Sequence, residues 1–288
     1  MKNMIKQPTV TLPDGTQLPA IGQGTWRIGD DPSKRMEEIA ALRLGVELGM
    51  KVIDTAEMYG EGLSEELVGE AIHGIRDEVF LVSKVYPHNA GKNRIITSCE
   101  QSLRRLKTDH LDLYLLHWRG DIPLAETIQG MQRLVEEGKI DRWGVSNLDK
   151  DDMEELIQLD KGDRCMVNQV LYHLGSRGIE VDLLPWQEKH QMPIMAYSPL
   201  AQGGSLRKEL VQHETVIKVA EKHGISPYQL LLAWTLRSGN VLSLPKSSSE
   251  KHVKENAFVY EVMLSAEDLK QLDEAFPAPM NKVPLDIV

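Results

Sequence analysis

A carboxylate, an ammonium and an imidazole close three short apolar runs of this chain. The runs are Val52-Ile53-Asp54, Val79-Phe80-Leu81-Val82-Ser83-Lys84 and Leu111-Asp112-Leu113-Tyr114-Leu115-Leu116-His117. A phenol, Tyr59, follows in the stretch Asp54-Thr55-Ala56-Glu57-Met58-Tyr59-Gly60. Brought together, these groups handle protons. An Asp54–Lys84 ion pair beside the phenol would favour phenolate and draw the tyrosine pKa down from its usual ~10. Such a tyrosine gives or takes a proton near neutral pH, and His117 would orient a substrate oxygen. Taken singly, each residue has a plainer reading. The aspartate can cap a helix, the lysine can be a solvated charge, the tyrosine can pack, and the histidine can be a structural hydrogen-bonded residue. The combination favours chemistry, because a carboxylate and an ammonium near a barrel axis are costly unless paired.

Similar runs recur. Trp143-Gly144-Val145-Ser146-Asn147, Met166-Val167-Asn168-Gln169 and Ile194-Met195-Ala196-Tyr197-Ser198 also end in polar groups, and Val241-Leu242-Ser243-Leu244-Pro245 leads to Lys246. A short apolar run closed by one polar side chain is the pattern of a buried parallel strand presenting that group at its C-terminal end. Between the runs lie helical stripes over residues 33–48, 63–73, 93–106, 124–137, 150–159 and 180–190. Two helices, 214–223 and 227–237, precede the eighth strand. One from about 249 and an extra one over 265–275, capped by Ser265, follow it. Pro13-Asp14-Gly15 between alternating stretches marks a hairpin, placed to plug the barrel ahead of a first strand from Ala20 to Gly24. The expectation is an α/β fold: a (β/α)8 TIM barrel with an N-terminal β-hairpin and an extra C-terminal helix, one domain over residues 1–288. A doubly wound sheet competes less well, because Gly22-Gln23-Gly24-Thr25-Trp26-Arg27 breaks the glycine fingerprint at its last position. The tail from Pro277 to Val288 has three prolines and no periodicity.

Bulk properties narrow the partners. The formal charge is −10, with no basic run. That argues against nucleic acid as a partner, while leaving room for one local cationic pocket. Cys99 and Cys165 are the only cysteines, so a disulfide framework is not expected and a reducing cytoplasm fits. The nine histidines lack metal-site spacing, so no metal is expected. No window approaches ~18 uninterrupted apolar residues, so no membrane span is expected. Nothing demands a dimer, and the expectation is a monomer or weak oligomer.

From Val10 to Phe276 the chain resembles the aldo-keto reductase family. The resemblance is carried by Gly22-Gln23-Gly24-Thr25-Trp26, Ile53-Asp54-Thr55-Ala56-Glu57-Met58-Tyr59-Gly60, Val82-Ser83-Lys84-Val85, the Leu111–His117 run with Trp118, Gly138-Lys139-Ile140, Gly144-Val145-Ser146-Asn147, Asn168-Gln169-Val170, Ala196-Tyr197-Ser198-Pro199-Leu200 and Pro245-Lys246-Ser247. It is nearest to small bacterial members that reduce short aldehydes and dicarbonyls such as methylglyoxal. The resemblance implies hydride transfer from NADPH to a small carbonyl compound. Tyr59 would be the general acid, tuned by Lys84 and Asp54, with His117 holding the carbonyl. Ser146, Asn147 and Gln169 would bind the nicotinamide carboxamide and Tyr197 would stack on the ring. Asp54 would touch the nicotinamide ribose. Gly24, Thr25, Trp26, Ser198, Pro199, Leu200, Gln202 and Gly203 complete the implied cofactor contacts.

At the adenosine end, Lys246, Ser247, Ser248 and Ser249 would grip a 2′-phosphate, and Glu255 and Asn256 would meet adenine. Many NADPH-preferring members have arginine where this chain has His252, so NADH is the alternative cofactor. Without the resemblance, this stretch reads as a polar loop leading into a helix that starts at Ser249. The stretch Ala201-Gln202-Gly203-Gly204-Ser205-Leu206 is a short belt, which implies fast cofactor exchange. Trp26, Tyr59, His117 and Trp118, with Tyr86 and His88, would face substrate in a shallow pocket. Two other readings stay open: a regulatory or binding protein on the same barrel, as in the reductase-like β subunits of potassium channels, and a barrel aldolase using Lys84 as a Schiff base.

Overall fold

The computed structural model describes residues 8–287. Two short strands, β1 (Thr9–Thr11) and β2 (Gln17–Pro19), pair antiparallel. Eight strands follow: β3 (Gln23–Gly24), β4 (Val52–Asp54), β5 (Phe80–Val85), β6 (Leu113–Leu116), β7 (Trp143–Ser146), β8 (Cys165–Leu171), β9 (Ile194–Tyr197) and β10 (Val241–Leu244). They pair in chain order and all in parallel. The ring closes where Ile21 pairs with Ser243 and Gly24 with Lys246. Across that seam Gly22 N donates to Ser243 O at 2.8 Å, and Gly24 N donates to Pro245 O at 3.0 Å. The expected (β/α)8 barrel is therefore present, with its hairpin.

The helices are α1 (Arg35–Glu47), α2 (Leu63–Ala71), α3 (Arg94–Leu106), α4 (Leu124–Glu136), α5 (Lys150–Gln158) and α6 (Leu183–Lys189). Three more, α7 (Ser205–Gln212), α8 (Glu214–Lys222) and α9 (Pro227–Thr235), lie between β9 and β10. Beyond β10 come α10 (Glu250–Phe258) and α11 (Ala266–Ala275). The extra helix α11 is capped by Ser265, whose hydroxyl accepts from Asp268 N. Helix α7 was not foreseen. Only Leu210 of its eight residues is buried, and Leu206, Leu210 and Val211 give a stripe of barely one turn.

Two packed layers follow from strand alternation. Val52, Val82, Leu113, Leu115, Val167, Met195 and Leu242 fill the barrel interior and meet Val10, Leu12 and Leu18 of the hairpin. Their neighbours Ile53, Leu81, Tyr114, Leu116, Val145 and Val170 point outward against the helices. The hairpin thus plugs the N-terminal end, as its position in the sequence implied. Arg142 holds it there, with Nε 2.5 Å from Asp14 Oδ2 and Nη2 3.0 Å from Thr16 Oγ1.

Candidate active site

The same alternation lifts polar groups onto the C-terminal rim. Two residues beyond each interior Val52, Val82, Leu115 and Val167 come Asp54, Lys84, His117 and Gln169. Asp54 and Lys84 are almost wholly buried, at 3% and 0% exposure. Lys84 Nζ donates to Asp54 Oδ2 at 2.7 Å, to Thr55 O at 2.9 Å and to Tyr59 Oη at 3.0 Å. All three ammonium protons therefore have acceptors, which is what lets the charge stay in the interior. The His117 ring stands 5.8 Å from the Tyr59 ring and 4.9 Å from Trp118. The four expected residues converge.

Tyr59 reaches this cluster from a loop, and two features fix the loop. Gly62 adopts φ +96, and a Cβ there would come 2.5 Å from the Arg105 side chain, so glycine is needed twice over. Glu57, 8% exposed, accepts from Tyr86 N at 2.7 Å and from Asn89 Nδ2 at 3.2 Å, and also bonds Ser98 Oγ. That carboxylate ties the Tyr59 loop to the loop carrying Tyr86 and His88, whose rings stack at 4.8 Å.

A second chain of bonds joins the remaining polar groups to the cluster. Gln169 Nε2 donates to Asp54 Oδ1 at 2.8 Å. Ser146 Oγ donates to Gln169 O at 2.8 Å. Asn147 Nδ2 donates to His117 O at 3.1 Å, and Tyr197 Oη donates to Asn147 Oδ1 at 2.9 Å. Asn147, Ser198 and Ala201 sit at φ 58, 49 and 57, so the backbone at the mouth holds strained conformations of the kind that cluster at functional sites.

The electrostatics correct one expectation. The Tyr59 phenol lies above its ordinary value, not below it. Burial of the hydroxyl is the largest influence and raises it. The Lys84 charge and hydrogen bond pull down, but Asp54 pushes up again and cancels part of that pull. The phenol keeps its proton at neutral pH. For Lys84, burial works against the charge, but Asp54 and Tyr59 outweigh it and the ammonium is held. His117 is pushed down to about 2, first by burial and then by the Lys84 charge. Its imidazole is neutral.

These groups open onto a cleft of about 950 Å³, at the upper end of small-molecule and cofactor sites. Gly24, Thr25, Trp26, Asp54, Tyr59, His117, Trp118, Ser146, Asn147, Gln169, Tyr197, Ser198, Pro199, Leu200, Gln202, Gly203 and Lys246 all line it. Ser247, Ser248, Ser249, His252, Glu255 and Asn256 are not among its lining residues. Ser247, Ser249 and the backbone of His252 and Glu255 form local bonds around α10. The Ser249 hydroxyl caps that helix by accepting from His252 N at 3.4 Å. Ser247 Oγ donates to Ser249 O, and Glu255 O accepts from Gln229 Nε2. The Thr25 hydroxyl is also committed, donating to Asp54 O at 2.9 Å.

Sequence reasoning missed Arg27, Met58, Ala201, Arg207 and Ile287, which also line the cleft together with Gly204 of the belt. Arg27 adjoins the Gly24-Thr25-Trp26 stretch, a signal that was available. Arg207 lies on the unforeseen α7 and donates twice to Ala201 O, at 2.9 and 2.6 Å. Ile287 belongs to the tail, where no pattern pointed to the rim. Among the described residues, Arg27, Arg207 and Lys246 form no ion pair with a carboxylate. On a chain of charge −10, three such cations in one cleft suit a ligand bearing several phosphates. Lys246 is lowered by partial burial, opposed by Glu38 and Asp30 and assisted by Lys34 and Arg27. At the opposite end of the barrel, His110, Asp112 and Asp141 bring ligand atoms within 4.8 Å of one another. There Asp112 already holds Arg76 and Leu81 N, each at 2.8 Å.

Comparison with known proteins agrees with this geometry. The model of the aldo/keto reductase family matches residues 20–276. Methylglyoxal reductase YeaE of Escherichia coli is 55% identical over 284 residues, spanning 99% of this chain and 100% of that protein. Glyoxal reductase of Bacillus subtilis is 35% identical, spanning 92% and 91%. A crystal structure of an aldo/keto reductase from Klebsiella pneumoniae in complex with NADP and acetate superposes with a TM-score of 0.96. It is 55% identical and covers 98% of this chain and 100% of that one. The chain belongs to the aldo/keto reductase family.

Proposed function

We propose that this protein is an NADPH-dependent reductase of small aldehydes and ketoaldehydes, with Tyr59 as its proton donor. The observation that carries this reading is the contact of Tyr59 Oη with Lys84 Nζ at 3.0 Å, beside a neutral His117, at the wall of a cleft with three cations that form no ion pair among the described residues. The donor set fits the cofactor. Lys246, Arg27 and Arg207 would meet its phosphates, Ser146, Asn147 and Gln169 its carboxamide, and Tyr197 its nicotinamide ring. Bound NADPH would supply the hydride that adds to the carbonyl carbon.

The chain's own residues do the rest. Tyr59, protonated at neutral pH, hydrogen-bonds the carbonyl oxygen and gives up its proton as negative charge develops there, leaving an alcohol. The resulting phenolate is stabilised by the ammonium that Asp54 holds in place. Neutral His117 donates a hydrogen bond to the same oxygen and fixes its direction without competing for the proton. A phenol whose pKa is raised is in its protonated form at neutral pH, the form that reduction of a carbonyl compound uses.

His252 is exposed and its backbone is engaged in the α10 cap, which supports tolerance of NADH beside a preference for NADPH set by Lys246. The related methylglyoxal and glyoxal reductases support small dicarbonyls as substrates. Two buried, unpaired cysteines, and the lack of a helix long and apolar enough to cross a membrane among the described residues, support a cytoplasmic enzyme. The reading takes residues 1–288 as one catalytic barrel acting as a monomer or weak oligomer.

The test is NADPH consumption with methylglyoxal and short aliphatic aldehydes, for the native protein and Tyr59→Phe. Loss of the acid should lower turnover by about 10²–10⁴-fold, while NADPH still binds within about threefold, because Lys84 keeps Asp54 and Thr55 as acceptors. Undiminished turnover by Tyr59→Phe would remove the phenol from the reaction. Cofactor binding with no turnover of any carbonyl compound would favour a binding protein on this barrel.

A further inference from the structure

The tail over residues 277–287 has no regular secondary structure, yet it is pinned along the rim. Arg177 Nη1 donates to Phe276 O at 2.6 Å where the tail begins. Lys282 Nζ then lies 3.3 Å from Asp149, 3.0 Å from Asp151 and 3.6 Å from Asp182. Asp149 caps α5, and Asp182 stands immediately before α6. One ammonium therefore gathers carboxylates from two of the elements that follow barrel strands. Beyond it, Val283 packs so closely on Gly178 that a Cβ there would come within 2.7 Å of its methyl group. Leu285 joins the outer core, and Asp286 accepts from Ser176 Oγ at 2.5 Å. Ile287 then lines the same cleft as Tyr59, His117 and Trp118.

We infer that Lys282 is a positioning residue for substrate selection: it latches the tail to the rim so that Ile287 walls the cleft against bulky carbonyl compounds. The inference rests on the reductase reading for its substrate and on this chain's contacts for the latch. Lys282 is the only cation within ion-pair distance of Asp151 and Asp182 among the described residues. Without it, Asp149, Asp151 and Asp182 repel one another. The tail would then keep the Arg177 bond at its start, the packing of Val283 and Leu285, and the Ser176 hydroxyl. Surface pairs are individually weak and screened by salt. A three-carboxylate network on one ammonium is therefore a latch that ionic strength loosens.

The experiment compares native protein with Lys282→Met, Lys282→Arg and Ile287→Ala. It reads kcat and KM for methylglyoxal and for a bulky aromatic aldehyde, and amide hydrogen exchange at Leu285 and Asp286 with NADPH bound. Lys282→Met should lower KM for the bulky aldehyde by about tenfold and leave its kcat, and both constants for methylglyoxal, within about twofold. Exchange in the tail should quicken, and Lys282→Arg should restore both readouts. Native protein at about 1 M salt should approach Lys282→Met in selectivity. Ile287→Ala should reproduce the KM change without the faster exchange. Unaltered exchange in Lys282→Met would overturn the latch, and faster exchange with unaltered selectivity would overturn the wall. If native protein reduced no carbonyl compound, the reductase reading would fail, and the exchange arm alone would still decide the latch.

Discussion

Two buried histidines should make this fold sensitive to mild acid. His117 is held neutral by burial and by Lys84, down to about 2, and its Nδ1 has no hydrogen-bond partner among the described residues. His173 is 1% exposed, and its Nδ1 accepts from Gly175 N at 3.1 Å, a role that protonation would abolish. Burial is again the largest cause, partly offset by Asp286 and reinforced by Arg207, and His173 falls to about 4. In the unfolded chain both rings titrate near ~6.5. A depressed folded-state value means that their contribution is intact above that pH. It declines as pH falls, because only the unfolded state takes up the proton. The slope is about 1.4 kcal/mol per pH unit for each ring. At pH ~5 each ring has withdrawn about 2 kcal/mol, and the pair about 4 kcal/mol, a large part of an ordinary domain's stability. The His173 contribution stops changing below its folded value, while that of His117 continues further. Urea midpoints at constant m-value, taken between about pH 7.5 and pH 5, measure the slope for native protein, His173→Asn and His117→Asn. Below about pH 6 each substitution should flatten it by about 1.4 kcal/mol per pH unit. A slope indifferent to both substitutions would show that the imidazoles protonate in the folded state, and would also undo the neutral His117 used in the mechanism.

Two further outcomes follow from the site. Lys84→Met leaves the Asp54 carboxylate buried with Gln169 as its remaining side-chain donor, and should cost about 3–5 kcal/mol in urea unfolding; Lys84→Met with Asp54→Asn should recover most of that, and no recovery would mean that packing, not charge, set the loss. Lys246→Ala should weaken NADPH by about 1.5–3 kcal/mol in direct titration, the worth of a charged hydrogen bond, and NADH by far less. Equal losses for both cofactors would place Lys246 away from the 2′-phosphate.

The barrel and its polar rim were legible because their signals are local. Alternation along a strand needs only the identities of adjacent residues. Val82 facing the interior obliges Lys84 to face it too, and the same rule carries Leu115 to His117 and Val167 to Gln169. The hairpin was equally readable from Asp14-Gly15, and the α11 cap from Ser265. What the chain could not show in one dimension depends on groups far apart in it. The Tyr59 phenol was expected to fall and instead rises, because burial and Asp54 together exceed Lys84, and depth is a property of the closed barrel. Ser249 also caps α10 by accepting from His252 N, a local bond that a hydroxyl just ahead of a helix makes readily and that its reading as a cofactor contact did not include. Arg207 entered the cleft on a helix with a single buried residue. Ile287 entered it on a tail without periodicity, whose Lys282 pairs with Asp149 and Asp151 more than a hundred residues away. Local spacing therefore determined which groups the strands present and to which end. Only tertiary structure decided the field those groups feel and the walls around them, because both are sums over distant residues.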